Sequence, residues 1–120
     1  MSEGRARRGA ANHRAGMAAE AGVARLYVAE GAALLARRWR CPAGEIDLII
    51  REPETIVFVE VKRRVKTPEE DPVGERQWRR LEAAAGMYMM RSGTGDIPLR
   101  FDLAIVGADG TAEIIRNARI

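Results

Sequence analysis

The sequence predicts a single mixed α/β domain, and three observations carry that expectation. Residues 44–64, GEIDLIIREPETIVFVEVKRR, read as two apolar strands around a turn. Two stretches, from about Asn12 to Glu30 and from about Val73 to Arg91, carry apolar residues at helical spacing. LRFDLAIVG at 99–107 alternates as a strand and is followed by Asp109-Gly110, a strong hairpin signal. The resulting order is helix, three strands, helix, two strands, a central mixed sheet flanked by helices.

Taken in order, residues 1–12 are rich in Arg, Gly and Ala without periodicity. They read as a flexible basic arm, suited either to contact phosphates or to stand solvated, and the folded domain is expected over 13–120. In the first helix Asn12 suits the N-cap and Gly31 the residue just past the end. Met17, Ala21, Ala24 and Val28 form its apolar stripe. Glu20 falls inside that stripe. It either reaches solvent from the edge or is buried with a partner, because an unpaired buried carboxylate is costly.

ALLARRW at 33–39 makes a first strand. Arg37, Arg38 and Arg40 around Trp39 form a basic and aromatic cluster, suited to a solvated edge or to a phosphate backbone. After the hairpin, VKTPEEDPVGE is loop-like, and Asp71-Pro72 suits the cap and first position of the second helix. Trp78, Leu81, Ala84, Ala85 and Tyr88 supply that helix's buried face, with Gln77 one turn before Leu81. Ser92-Gly93-Thr94-Gly95 ends it, and TAEIIRNA completes a short last strand.

Composition narrows the chemistry. The 120 residues include one cysteine, Cys41, and one histidine, His13, so an intrachain disulfide, a Cys-based zinc site and a His-based triad are all disfavoured. Catalysis is left to carboxylates, Lys, Arg or a metal ion. No apolar run approaches the roughly 18–20 residues that cross a membrane. The N-terminus lacks the apolar region of a secretory signal, so a cytoplasmic location without a membrane partner is expected. Net charge is +3. Taking Arg5, Arg7, Arg8, Arg14 and Glu3 from the 20 basic and 17 acidic residues leaves 16 of each sign, so the excess lies at the N-terminus. It is no argument that the folded body binds nucleic acid.

Three polar residues of the hairpin, Asp47, Glu60 and Lys62, carry the chemistry. A two-residue loop at Pro53-Glu54 and a four-residue loop give the same register, and Pro53 suits the type I turn of the longer one. In that register Asp47 lies opposite Glu60, and Glu45 lies opposite Lys62. Directly opposed residues have Cβ atoms about 4.5–5.5 Å apart. Strand alternation puts Asp47 on one face with Glu45 and Ile49, and Glu60 and Lys62 on one face with Ile56 and Phe58. Two facing carboxylates in apolar surroundings raise at least one pKa and call for a positive neighbour. Lys62 is one candidate; a hard divalent cation such as Mg²⁺ or Mn²⁺ is the other. A surface salt pair accounts for Glu60 and Lys62 but less well for Asp47.

At these residues the chain resembles the YraN-type family of predicted endonucleases, in the restriction-endonuclease-like superfamily named for its PD-(D/E)XK motif. The resemblance runs through Gly16 and Glu20, RRWRCPAGEIDLI, VFVEVKRR, RQWRRLEAAAGMYM and RFDLAIV. No single segment is specific; their order and spacing together are. It implies that Asp47 is the acid of the "PD" strand, with Ile46 in place of the proline, and that Glu60 and Lys62 are the E-x-K of the next strand. It implies further that Glu20 is a helix glutamate beside a metal site. Gln77 becomes a helix glutamine that positions a phosphate or a metal-bound water. Arg76 stands where lysine is expected.

The expected function is a metal-dependent endonuclease acting on DNA, possibly branched. Asp47, Glu60 and Glu20 would hold Mg²⁺ or Mn²⁺, Lys62 would assist the attacking water and Gln77 would support the geometry. Candidate phosphate contacts are Arg37, Arg38, Arg40, Arg63, Arg64, Lys66 and Arg79. The alternative is a nucleic-acid-binding module with the nuclease fold and no turnover. DNA is favoured over RNA as partner, and a homodimer is an option, two-fold dimers being the commonest assemblies.

Overall fold

A computed structural model of the chain describes residues 3–63 and 73–119, with side chains described from residue 13 onward. The elements are α1 (Glu3–Ala29), β1 (Ala33–Cys41), β2 (Gly44–Glu52), β3 (Thr55–Arg63), α2 (Glu75–Ser92), β4 (Leu99–Val106) and β5 (Ala112–Ile115). This is the order expected from the sequence. Arg64, Lys66 and the Asp71-Pro72 pair lie outside the described residues.

Helix α1 begins at Glu3 rather than at Asn12, so most of the expected arm has helical backbone. Ala and Arg are among the best helix formers, and nothing in the run forbids continuation past an internal asparagine. The C-terminal stop falls where expected. Gly31 adopts φ +97°, its N–H bonds the Val28 carbonyl, and the Ala32 N–H bonds that of Tyr27. This is a Schellman closure, which needs a residue tolerant of the left-handed region.

The buried face of α1 is rotated from the expected stripe. Ala19, Glu20, Val23, Ala24 and Tyr27 are buried, while Met17 and Val28 are exposed. Tyr27 decides that phase: it is fully buried and its hydroxyl reaches Asp102.

Helix α2 starts at Glu75 with Gly74 as N-cap, two residues later than the expected Val73. Val73 is instead a core residue of the preceding segment. Trp78, Leu81, Ala84 and Ala85 are buried as expected, joined by Met89. Tyr88 is half-buried and stacks edge-on against both Trp39 and Phe58.

The strands form one sheet in the order β1-β2-β3-β4-β5. All neighbours are antiparallel except β3 and β4, which are parallel and joined through α2. A parallel pair needs such a crossover, and the helix supplies it. The two sheet faces build separate cores. Ile46, Ile49, Ile56, Phe58 and Phe101 pack with α2, while Leu48, Ile50, Val57 and Val59 pack with α1. The double-sided burial explains why β2 and β3 read as near-continuous apolar runs. The β2–β3 turn is the two-residue one, with Glu52 paired to Thr55. Among the described residues, no helix is long and apolar enough to cross a membrane.

On the α1 face of the sheet the buried charge of Asp102 is fully satisfied. Asp102 is completely buried and accepts hydrogen bonds from the Tyr27 hydroxyl (2.7 Å), Arg100 Nε (2.8 Å) and the Asn117 N–H (2.9 Å). Arg100 also grips both oxygens of Glu52, at 2.9 and 3.1 Å. Burial pushes the Asp102 carboxyl up, but the bonds from Arg100, Tyr27 and Asn117 outweigh it and hold the group below its ordinary value.

Removing Asp102 leaves Arg100 with Glu52 alone and the Tyr27 hydroxyl without its acceptor. Asp102→Ala is therefore expected to lose about 3 kcal/mol of unfolding free energy at pH 7 in urea titrations. A depressed folded-state pKa makes this contribution complete above the unfolded value of about 3.9 and drains it as pH falls further. Parent and variant should converge in acid.

Candidate functional site

The candidate site is built differently, beginning with an interruption between β1 and β2. Their pairing runs from Arg37–Leu48 to Trp39–Ile46 and skips Arg38 and Asp47, which stand across from each other. Arg38 has φ +49°, a left-handed conformation that costs a non-glycine residue on the order of 1–3 kcal/mol. Alternation slips on both strands. Arg37 and Arg38, adjacent in sequence, both reach α1: Arg37 donates to the Met17 carbonyl and Arg38 Nε to Glu20 Oε1 at 2.7 Å. On β2, Ile46 and Ile49 both join the α2-side core. The strict alternation expected for Asp47, Glu45 and Ile49 therefore does not hold.

A second interruption lies between β2 and β3. Their ladder follows the expected register through Leu48–Val59 and ends there, one pair short of Asp47 and Glu60. Asp47 Oδ2 instead accepts a 2.9 Å hydrogen bond from the Val61 N–H. The side chain thus takes a bond that β2 backbone would otherwise supply, which fixes the Asp47 carboxylate over β3. Glu45 does not meet Lys62 as expected. It accepts from Arg40 Nε across β1 at 2.8 Å.

Glu60 is 7% exposed and faces α2, where the Gln77 amide donates to its Oε1 at 3.0 Å. The Lys62 ammonium stands 3.5 Å from the same oxygen. Asp47 and Glu60 lie close enough for each carboxyl to act on the other's ionisation. Burial, then the Asp47 charge, pushes the Glu60 carboxyl up to about 8. Burial also raises Asp47, partly offset by the Val61 N–H and reinforced by the charge of Glu20. Asp47, Glu60, Gln77 and Gly44 line an open cleft of about 500 Å³, together with Arg76 and Arg80 of α2.

Four predicted residues, Asp47, Glu60, Lys62 and Gln77, are thus brought together. Glu20 is near enough to act on Asp47 but is buried and held by Arg38. Among the described residues, no three His, Cys, Asp or Glu side chains gather as a metal cage. The pair Asp47–Glu60 nonetheless fits a hard cation. It offers two carboxylates short of cationic partners, beside a cleft with room for water, and Mg²⁺ is commonly held by one or two carboxylates plus waters and phosphate oxygens.

This chain matches the model of the uncharacterised protein family UPF0102 over residues 19–106. A UPF0102 protein of Ruegeria pomeroyi is 46% identical over 115 residues, covering 94% of each chain. One from Cereibacter sphaeroides is 40% identical, covering 92% of this chain and 96% of its own. Another, from Azorhizobium caulinodans, is 39% identical, covering 93% and 87%. The chain belongs to the UPF0102 family. The matched span contains every residue that lines the cleft.

Most arginines expected to meet phosphate are already engaged in this UPF0102 protein. Arg37, Arg38 and Arg40 bond within the fold, and Arg79 pairs with Glu75 one turn away at 3.3 Å. Arg63 is exposed at the end of β3. Trp39 packs against Tyr88 and lies under the Arg91 guanidinium, so it belongs to the core edge. The sequence reading missed Arg80 and noted Arg76 only as a replacement for lysine. Both are exposed on the cleft wall and, among the described residues, neither has an ion-pair partner. Their i, i+4 spacing around Gln77 was the available signal.

In metal-free buffer the raised Glu60 pKa has a definite sign. A folded-state pKa above the unfolded value gives stability that is present below about pH 4.3 and lost as pH rises toward 8. Glu60→Gln removes this loss. At pH 8 in EDTA the variant is expected to exceed the parent by on the order of 1–2 kcal/mol in urea unfolding, and to match it at pH 4.

Proposed function

We propose that the protein is a metal-dependent nuclease that hydrolyses phosphodiester bonds, with DNA as its substrate. The observation that carries this reading is the meeting of Asp47 and Glu60 where the β2–β3 ladder ends, with the Lys62 ammonium 3.5 Å from Glu60. A surface salt pair would not bury Glu60 to 7% exposure or draw an aspartate carboxylate against it. The resemblance to PD-(D/E)XK nucleases assigns the same three residues the same roles.

Asp47 and Glu60 would hold Mg²⁺ or Mn²⁺, which when bound polarises a phosphoryl oxygen and makes a water more acidic. The Val61 N–H fixes one Asp47 oxygen and leaves the other toward the cleft. The Gln77 amide does the same for Glu60. Lys62 orients the attacking water and offsets negative charge as the phosphate becomes five-coordinate. Arg38 holds Glu20 near Asp47.

A second reading, a nucleic-acid-binding module without turnover, is favoured by the engagement of Glu20 with Arg38 and the lack of a third free carboxylate among the described residues. Cleavage assays separate the two. Labelled linear, forked and four-way-junction DNA are incubated with Mg²⁺, Mn²⁺ or EDTA, beside Asp47→Ala and Lys62→Ala. The nuclease reading expects cutting only with metal, reduced about 10²-fold or more in both variants. Binding without cutting on every substrate supports the module. Equal activity in the parent and both variants refutes the assignment.

A further inference from the structure

The acidic cleft is not the only depression beside α2. A second groove of about 560 Å³ runs along the outer side of the helix, lined by Ala43, Glu75, Arg76, Arg79, Arg80 and Ala83. Arg76 and Arg80 line both, so the two guanidiniums form the wall between them. We propose that Arg76 and Arg80 form a phosphate-binding subsite that grips the nucleic-acid backbone next to the phosphate at Asp47 and Glu60, with the strand continuing into the groove floored by Ala43 and Ala83. The inference rests on the nuclease reading and assigns its substrate path.

Charge accounting within the groove supports it. Glu75 is the acidic residue there, and its oxygens are taken by Arg119 at 2.6 and 2.7 Å and by Arg79 at 3.3 Å. Glu75 is thereby held below its ordinary pKa, first by the Arg119 hydrogen bond, and has no call on Arg76 or Arg80. Arg79 is spent on the same pair. Among the described residues, that leaves two guanidiniums without an ion-pair partner, one helical turn apart on a wall beside two carboxylates. Guanidinium geometry suits phosphate oxygens, which accept two parallel N–H bonds. The small side chains of Ala43 and Ala83 leave the floor open to a sugar-phosphate chain. Gly44 lies against the Arg80 stem, with its Cβ position 3.8 Å from Arg80 Cβ, which keeps the arginine upright between the two depressions.

The test is the salt dependence of binding. Affinity for a short labelled DNA is measured in EDTA from low to moderate salt for the parent, Arg76→Ala/Arg80→Ala, Arg76→Lys/Arg80→Lys and Arg25→Ala, which removes one exposed charge on α1 away from the groove. Each lost phosphate contact lowers the slope of log affinity against log salt by roughly 0.7–0.9. The double alanine variant is expected to lose about 1.4–1.8 of slope, the lysine variant to keep most of it, and Arg25→Ala to match the parent. A double alanine variant that binds with the parent's slope overturns the subsite while leaving the nuclease reading standing. A parent that binds no nucleic acid overturns both. Thermal melting of each variant confirms that folding is intact, and the lysine pair guards against a loss caused by misfolding.

Discussion

Asp47 takes a hydrogen bond that belongs to the backbone, and the carboxylate end of the molecule is organised around that substitution. Where β2 and β3 stop exchanging N–H and C=O bonds, the Val61 N–H needs an acceptor, and Asp47 Oδ2 supplies it. A carboxylate held this way cannot swing out to solvent. It stays near Glu60, where burial and the Asp47 charge push the Glu60 carboxyl up. On the other side of β2, the gap in pairing opposite Arg38 turns that arginine toward α1, where it neutralises Glu20. The left-handed backbone of Arg38 is tolerated because the ion pair with a buried glutamate over-determines it.

The two faces of the sheet treat their buried acids in opposite ways, Asp102 of β4 on the α1 side and Glu60 of β3 on the α2 side. Asp102 is more deeply buried than Glu60, yet its pKa is held down, because a tyrosine, an arginine and a backbone amide all donate to it. Glu60 has one amide donor, an ammonium at 3.5 Å and a second carboxylate, and its pKa is driven up. The first arrangement locks β4 to α1 and to the segment after β5. The second leaves an electrostatic deficit open to a cleft. The two acids stand on opposite faces of adjacent strands, one ladder position apart.

Helix α2 carries this division outward. Its inner face supplies Trp78, Leu81, Ala84 and Ala85 to the core, and Gln77 at the first turn reaches Glu60. Arg76 and Arg80 flank that reach. The Glu75–Arg119–Glu82 network then ties the outer side of the helix to the end of the chain. Among the described residues of α2, Arg79 pairs with Glu75 and Arg91 lies over Trp39, while Arg76 and Arg80 adjoin the acidic cleft.

Much of this was legible in the chain itself. The apolar runs of β2 and β3, the turn at Pro53-Glu54 and the Asp109-Gly110 hairpin are local signals, and they determined the element order and the β2–β3 register. That register alone brought Asp47 toward Glu60. The stops at Gly31 and Gly93 were also legible, because left-handed helix ends favour glycine. The phase of α1 was not, since Tyr27 faces inward to satisfy an aspartate 75 residues away. Nor were the engagement of Glu20 by Arg38, the diversion of Glu45 to Arg40, or the freedom of Arg76 and Arg80. These depend on which charges face each other across elements distant in sequence. Sequence by itself determined which residues stand on the hairpin and the helix beside the cleft, because type and spacing are local. Only the tertiary structure decided which charges are spent within the fold and which remain for a ligand, because pairing is settled by packing in space.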